Sequence, residues 1–220
     1  MPINKSSETF FHQGWVFKIF QPVQPDGKDF VILLHGWTGN EKSMDIFVRA
    51  FPPHVWIISP RAPNLLRDNA YSWTSRSTNQ TGTLTDFLPS ASSLWQQIPL
   101  WIKLLNLKTD PHIHFVGFSQ GGAMALVLSI MQFSQTGKTA CLSGYLPELG
   151  QDLIQPGSLH NKSFLIIHGS NDHIISVDHA RSARNILSEA GASITYCESK
   201  VGHKLSAECF NELGKFFSDL

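Results

Sequence analysis

A serine with a glycine two positions away on either side is the residue best suited to chemistry in this chain. Ser119 stands in the pentapeptide Gly117–Gly121 (GFSQG), between the apolar run HIHFV and the helical pattern GAMALVL. Gly-x-Ser-x-Gly at a strand-to-helix turn is typical of a nucleophile, because the tight turn lifts the hydroxyl above the sheet edge and leaves room only for glycine beside it. An oxyanion formed by attack of Ser119 would meet the amide of Gln120. The alternative is a turn whose serine only caps the helix.

A serine hydroxyl needs a base within hydrogen-bonding reach, and the base needs an orienting acid. Among the ten histidines, His203 follows the last predicted strand and precedes the last predicted helix, so we predict that it is the base. His168 and His35 also end predicted strands, but each directly precedes a glycine and is interpreted as a turn residue. The alternative for His203 is a loop histidine that caps the final helix.

Asp172 is the predicted acid, because it follows the apolar run FLII and precedes a predicted helix. The chain order Ser119, Asp172, His203 is the order of α/β-hydrolases and differs from the orders of the chymotrypsin and subtilisin triads. Asp178 is the main rival, but it suits the first turn of the helix that follows. The alternative for Asp172 is a residue that only closes an Asx turn.

An oxyanion hole needs a second amide donor. The segment 33–40 (LLHGWTGN) ends an apolar strand with a loop bracketed by Gly36 and Gly39, and both glycines let the backbone approach a substrate closely. We predict that the amide of Trp37 joins that of Gln120 in the hole. The alternative is an ordinary strand-to-helix turn.

The elements that must position these residues alternate along the chain. This alternation predicts an α/β fold with a mostly parallel central sheet and helices on both faces, in one domain that spans residues 1–220. Right-handed crossovers would place every strand-to-helix loop along the carboxyl edge of the sheet. The predicted strands cover 15–20 (an edge strand), 30–34, 55–58, 112–116, 139–143, 164–167 and 193–197; the predicted helices cover 41–51, 86–107, 122–128, 176–190 and 204–220.

Three local features refine this prediction. Pro89 suits a first helical turn, whereas Pro99 should kink or split its helix. Gly191 is predicted to end the helix before it as the residue after the C-cap. Residues 60–85 lack a sustained period, so we predict a long ordered loop that helps to form a pocket.

The composition excludes several classes of protein. Charged residues make up only 15% of the 220, and the net charge of 0 comes without a basic cluster, so nucleic acid is not expected as a partner. No apolar run is long enough to span a membrane, the first residues resemble no signal peptide, and Pro2 excludes N-myristoylation. The three cysteines, Cys141, Cys197 and Cys209, predict reduced thiols and a cytoplasmic protein.

Seven segments along the chain carry motifs that occur together in one family: Leu34-His35-Gly36, 59–63 (SPRAP), Ser72-Trp73, 117–122 (GFSQGG), 142–147 (LSGYLP), 168–172 (HGSND) and Gly202-His203. On these motifs the chain resembles the acyl-protein thioesterase, carboxylesterase and lysophospholipase branch of the α/β-hydrolases. The resemblance implies a triad of Ser119, His203 and Asp172, with the amides of Trp37 and Gln120 as the oxyanion hole. It also implies hydrolysis of carboxylic esters or thioesters.

The chain departs from the family pattern at three places that bear on substrate choice. Thr74-Ser75 follow Ser72-Trp73 where the family often has Phe-Asp, and the loop at Trp37 continues with Thr-Gly-Asn where Gly and Asp are usual. After Asp172 the segment HIIS replaces one that usually holds Pro and Val. The three triad positions are unaffected.

The substrate is predicted to be a small ester or acyl-thioester, including lipid or acyl-protein donors, with a short-to-medium acyl chain on apolar loop residues. Neither a metal nor a cofactor is needed, and the protein is expected to be a monomer or a homodimer. A lactone or peptide hydrolase, an acyltransferase and a non-catalytic binding module remain as alternatives. The predicted acyl-binding residues are Trp37, Leu65, Leu66, Trp73, Phe118, Ile174 and Ile175.

Overall fold

An eight-stranded mixed sheet forms the centre of the computed structural model, which describes residues 5–22, 28–75, 81–105, 111–148 and 150–220. The strand order is β1-β2-β4-β3-β7-β8-β9-β10, and a separate hairpin pairs β5 with β6. From β4 to β10 the six neighbouring strands are parallel, whereas β2 is antiparallel to both of its neighbours. The strands are β1 Ser7–His12, β2 Trp15–Phe20, β3 Asp29–Leu34, β4 Trp56–Pro60, β5 Asn64–Arg67, β6 Ala70–Ser72, β7 His112–Phe118, β8 Thr136–Leu142, β9 Ser163–Gly169 and β10 Ser193–Ser199.

Helices cover both faces of the sheet, as predicted. Alternation along β3 sends Phe30 and Ile32 to the face that packs against α1 and α2, and Val31 and Leu33 to the face that packs against α4. Helix α3 packs on the first face, beside α2 and β9. The α-helices are α1 Leu84–Leu104, α2 Gln120–Met131, α3 Val177–Glu189 and α4 Ala207–Phe216, and short 3₁₀ helices cover Asp45–Ala50 and Gly150–Leu153.

The mostly parallel sheet is confirmed, but strand 15–20 is not at its edge. The missed strand β1 lies outside it and pairs with it through a two-residue turn at Gln13-Gly14, where φ is 48° and 81°. Two successive positive φ angles match the type I′ turn that the right-handed twist of a hairpin favours. β1 could not be predicted because its sequence, SETFFH, is largely exposed and contains no long apolar run.

Two helix predictions change in the structure. The segment 41–51 forms turns and a 3₁₀ helix instead of an α-helix. Helix α1 runs unbroken through Pro89, in its second turn, and through Pro99. Pro99 is exposed, so water can satisfy the carbonyl that it leaves free, while Ile98 and Trp101 on the buried side hold the helix to the sheet. The predicted end at Leu107 lies outside the described residues. Gly191, with φ 91°, follows the C-cap of α3 as predicted.

The predicted loop 60–85 contains secondary structure. Asn69, with φ 56°, turns β5 into β6, and a backbone bond from Thr38 to the carbonyl of Tyr71 ties this hairpin to the loop after β3. A capping box between Thr83 and Asp86 starts α1. Residues 76–80 of the predicted loop lie outside the described part of the chain.

The prediction of three reduced thiols is wrong. Cys197 near the end of β10 and Cys209 in α4 form a disulfide, with Cα atoms 5.7 Å apart. The two residues meet because α4 packs directly on β10, which spacing in the sequence does not show. Cys141 stays free and buried. Reduced thiols therefore no longer support a cytoplasmic location. Within the described ranges, no helix has the length and hydropathy that crossing a membrane requires.

Candidate active site

Ser119 occupies a strained turn between β7 and α2. Its φ of 56° and ψ of −119° lie in a region that side-chain-bearing residues rarely adopt. A Cβ at Gly117 would come within 1.9 Å of the carbonyl oxygen of Gly121, and one at Gly121 within 2.0 Å of that of Leu34, so both positions exclude any other residue. The Ser119 hydroxyl makes no capping bond to α2, which argues against the interpretation of this serine as a helix cap.

Asp172 and His203 meet at the carboxyl ends of the neighbouring strands β9 and β10. The ring Nδ1 of His203 lies 2.6 Å from Oδ2 of Asp172, and the Asp172 side chain is fully buried. The other carboxylate oxygen accepts the amides of Ile174 and Ile175 at 2.9 and 3.0 Å. Burial alone would raise the pKa of the Asp172 carboxyl, but the hydrogen bonds from His203 and these two amides outweigh it and hold the pKa below its ordinary value.

Ser119 and His203 line the same cavity, which has a volume of about 290 Å³. The ring of His203 packs against Phe118, with ring centroids 5.0 Å apart. Within the described part of the chain, no hydrogen bond joins the Ser119 hydroxyl to this ring. Catalytic hydrogen bonds are commonly long before a substrate binds, so proton transfer requires only that the two side chains approach each other. Asp178, the rival candidate for the acid, lies in the first turn of α3, as predicted, and pairs with Arg181.

The loop after β3 lies against the nucleophile. A Cβ at Gly36 would be 3.4 Å from the Cβ of Ser119, and Trp37 lines the same cavity. The amides of Thr38 and Gly39 donate to the carbonyls of Tyr71 and Gly36, whereas that of Trp37 has no acceptor among the described residues. The amides of Gln120 and Gly121, the first two of α2, likewise have no acceptor among the described residues, whereas those of Gly122 and Ala123 donate to the carbonyl of Ser119. This arrangement suits the predicted oxyanion hole.

The side chain of Gln120 forms hydrogen bonds that link the nucleophile turn to the segment 72–74. Its Oε1 accepts the amide of Trp73 at 3.0 Å, and its Nε2 donates to the hydroxyls of Ser72 and Thr74. The indole of Trp73 in turn donates to the carbonyl of His35 at 2.7 Å. The nucleophile turn, the segment 72–74 and the loop after β3 are thus one hydrogen-bonded unit.

His35 is a buried, neutral link in the same unit. Its Nε2 accepts the amide of Ala62, which leaves the proton on Nδ1 to be donated to the carbonyl of Gly36. Burial lowers its pKa to about 4. Nearby, Arg61 forms a bidentate pair with Glu41 and donates to the hydroxyl of Tyr71, so the far end of the loop is fixed as well.

Four of the seven predicted acyl-binding residues line the cavity: Trp37, Phe118, Ile174 and Ile175. Trp73 does not, because it is fully buried in the core, and that prediction is corrected. Leu65 is 64% exposed and Leu66 half-buried on the β5–β6 hairpin, and neither lines the cavity, so these two predictions are corrected as well.

Sequence reasoning missed two contributors to the site. Tyr145 lines the cavity from the loop after β8, and its hydroxyl accepts the amide of Gly82. The motif LSGYLP contains this residue, and its place after a buried strand was the available signal. Thr38 also lines the cavity. Among the described residues, no group of three metal-binding side chains is found.

Comparisons with known proteins agree with this geometry. The sequence profile of the phospholipase/carboxylesterase family matches residues 17–220. A carboxylesterase of Arabidopsis thaliana, SOBER1, is 32% identical over 104 residues, which is 44% of this chain and 44% of that protein; the match thus spans less than half of the relative's length.

Solved structures share the fold over nearly the whole chain. The Bacillus cereus carboxylesterase superposes with a TM-score of 0.80 at 20% identity, over 92% of this chain and 93% of its own. A carboxylesterase from Mesorhizobium loti gives a TM-score of 0.81 at 17% identity, over 97% of this chain and 99% of its own. At these identities the likeness concerns the α/β-hydrolase fold.

Proposed function

Because the chain belongs to the phospholipase/carboxylesterase family of α/β-hydrolases, we propose that it is a serine hydrolase of carboxylic esters or thioesters. Ser119 is the nucleophile, His203 the general base and Asp172 the group that orients the base. The observation that carries this proposal is the 2.6 Å bond between His203 Nδ1 and Asp172 Oδ2, beside the strained Ser119. It leaves Nε2 of His203 as the atom available to the serine hydroxyl.

The reaction proceeds in two halves. Ser119 attacks the acyl carbonyl carbon while His203 takes its proton, and the amides of Trp37 and Gln120 stabilise the tetrahedral oxyanion. The bond to the leaving alcohol or thiol then breaks, and this group departs with the proton from His203. Water repeats the sequence on the acyl-enzyme, which releases the carboxylic acid and restores Ser119. Asp172 stays ionised throughout and stabilises the imidazolium.

The acyl group is short to medium in length. The cavity of about 290 Å³ lies at the small end of ligand sites and has apolar walls from Trp37, Phe118, Ile174 and Ile175. Each buried CH₂ stabilises binding by about 0.8 kcal/mol until the cavity is full. Hydrolysis of p-nitrophenyl esters from acetate to laurate tests this: kcat/KM should rise over the first members and then fall. A flat profile would contradict the proposed acyl cavity.

Labelling with a fluorophosphonate tests the nucleophile directly. The wild-type protein should become labelled and should hydrolyse p-nitrophenyl butyrate, and Ser119→Ala should do neither. Ser92→Ala is the matched control, because Ser92 is an exposed serine on α1, outside the cavity. Failure of the wild type to react with the probe, while circular dichroism shows it folded, would favour a binding module instead.

A further inference from the structure

A second cavity adjoins the candidate active site on the side of His203. It measures about 450 Å³ and shares Gly36 and Phe118 with the first cavity, so Phe118 stands between the two. Its other walls come from the segment 43–49, which includes most of the 3₁₀ helix Asp45–Ala50, and from residues 204–210, which lead into α4 and form its first turn. The mechanism described above assigns this space no role.

The walls of the second cavity are apolar and its rim is positively charged. Phe118, Phe47 and Phe210 form an aromatic row, with successive ring centroids 6.4 and 6.1 Å apart. The guanidinium of Arg49 lies 4.7 Å from the centroid of Phe210 at the far end of this row. Lys204 lines the cavity as well, and no carboxylate does among the described residues.

No described residue neutralises the charges on the rim of the second cavity. Neither Arg49 nor Lys204 forms an ion pair with any described residue, and the carboxylate nearest to Arg49 in sequence, that of Asp45, is paired with Lys18 at 2.7 Å. Ile46, on the same segment, lines the cavity although it is 65% exposed. An apolar cleft with two unpaired cations and no acid complements an amphiphile with an anionic end.

The position of the cavity decides which part of a substrate it receives. The leaving group must lie beside His203, because the imidazolium gives that group its proton. His203 itself lines the first cavity, where the acyl carbonyl must face the amides of Trp37 and Gln120. The second cavity is lined by Phe118, whose ring packs against that of His203, and by Lys204, the next residue in the chain. The acyl group therefore uses the first cavity, and the alcohol or thiol part extends into the second.

We infer that the second cavity is the leaving-group site, and that it selects esters or thioesters whose alcohol or thiol has an apolar body and a terminal anionic group. Arg49 and Lys204 bind the anion, and the row Phe118–Phe47–Phe210 contacts the apolar body. This inference rests on the proposed hydrolase activity and adds a substrate class to it.

The test compares matched substrates with one acyl group. Butyryl esters of ω-hydroxyhexanoate, ω-hydroxyoctanoate and ω-hydroxydecanoate carry a terminal carboxylate, and the butyryl esters of hexanol, octanol and decanol lack it. At low ionic strength, kcat/KM should favour the anionic ester by roughly threefold to fivefold at the chain length that reaches Arg49. The preference should shrink as salt is added.

Charge variants locate the effect. Arg49→Gln should lower the anionic-to-neutral ratio, and Arg49→Gln combined with Lys204→Gln should bring it close to one. Lys42→Gln removes the same charge from an exposed lysine of the neighbouring turn that lines neither cavity, and it should keep the wild-type ratio. Ala207→Trp, which fills the second cavity from α4, should lower kcat/KM for decyl butyrate several-fold relative to methyl butyrate.

Several outcomes would overturn the inference. One is a wild-type ratio of one at every chain length; another is a ratio that Arg49→Gln leaves unchanged. A third is an Arg49-dependent preference that appears only when the anion is on the acyl side, as with methyl hydrogen adipate against methyl hexanoate. In each case, Ser119-dependent hydrolysis of the neutral esters would leave the proposed function standing. Absence of any ester hydrolysis and of fluorophosphonate labelling would instead reject the proposed function itself.

Discussion

Both carboxylate oxygens of Asp172 accept hydrogen bonds, and the two oxygens serve different purposes. The amides of Ile174 and Ile175 fix the carboxylate on its own loop, and the second oxygen faces His203 Nδ1. His168, buried near the end of β9, bonds to the carbonyl of Ile175, and burial lowers its pKa. Asp172 thus both anchors its own loop and orients the His203 ring.

Replacing Asp172 by asparagine should separate orientation from packing. The amide has nearly the same shape, but its NH₂ group presents a donor to Nδ1 and favours the wrong imidazole tautomer. We expect kcat to fall by about 10⁴-fold, with KM little changed. Steady-state kinetics on p-nitrophenyl butyrate measures this. Asp178→Asn is the matched control, since Asp178 is exposed in α3 and pairs with Arg181; equal losses in both variants would contradict the assignment.

At the residue scale, the sequence predicted which residues could carry out the chemistry, but it did not predict which side chains pack around them. Ser119, Asp172 and His203 follow strands whose apolar runs are plain, so their common edge could be predicted. Trp73 could not be placed, because nothing in the segment SWTS shows that its indole bonds to the carbonyl of His35 in the core. Burial of a loop tryptophan depends on the side chain of Gln120, which is 47 positions away.

The loop that carries His203 is closed by the disulfide between Cys197 in β10 and Cys209 in α4. Its two ends are 12 positions apart, and His203 lies midway. Such a bond removes conformational freedom from the unfolded chain and limits the excursions of the loop in the folded one. The disulfide between β10 and α4 therefore helps to position His203 and also contributes to the stability of the fold.

Removal of this disulfide should lower both stability and activity. For a loop of this length, the double variant Cys197→Ser/Cys209→Ser should lose about 3 kcal/mol in the free energy of unfolding, measured in urea. A thiol reductant should reduce the activity of the wild type and leave that of the double variant unaffected. Cys141→Ala is the control, and it should respond to reductant like the wild type, because Cys141 is buried and unpaired. A wild type insensitive to full reduction would contradict a role for the disulfide in positioning His203.

Element by element, the buried parallel strands were predicted within a few residues, whereas elements stabilised by distant contacts were not. β3 and β9 contain the apolar runs FVILL and FLII, which suffice to identify them as buried strands. β1 is largely exposed and depends on its pairing with β2, and the segment 41–51 has helical spacing but forms a 3₁₀ helix against α4. The continuity of α1 across Pro99 likewise depends on burial of its opposite face.

At the scale of the whole molecule, the parallel sheet itself assembles the candidate site. The loops after β3, β7, β9 and β10 all leave the same edge, so residues 37, 119, 172 and 203 converge although no two of them are close in sequence. The strand order could not be predicted, because alternation of elements is compatible with several orders. The shared edge requires only that the strands be parallel, which explains why the site was predictable and the topology was not.

The stability of the whole fold should fall as the pH is lowered from about 6.5 to about 4, before most carboxylates titrate. Burial lowers the pKa of His35 to about 4, and it lowers those of His168 and His114 as well. A histidine in the unfolded chain binds its proton near pH 6.5, so in this window the unfolded state holds more protons than the folded one. His35 alone should contribute a loss of roughly 3 kcal/mol across it.

Urea unfolding at several pH values between 7 and 4 measures this loss, and His35→Gln isolates its main source. The glutamine amide can donate to the carbonyl of Gly36 and accept from Ala62, as the ring does, but it does not titrate. The variant should be less stable at neutral pH and should lose stability less steeply toward pH 4, with the remaining slope due to His168 and His114. If the unfolding free energy of His35→Gln depends on pH as steeply as that of the wild type, then His35 is not a buried neutral histidine in the folded protein, and its proposed place in the hydrogen-bonded unit behind the nucleophile is wrong.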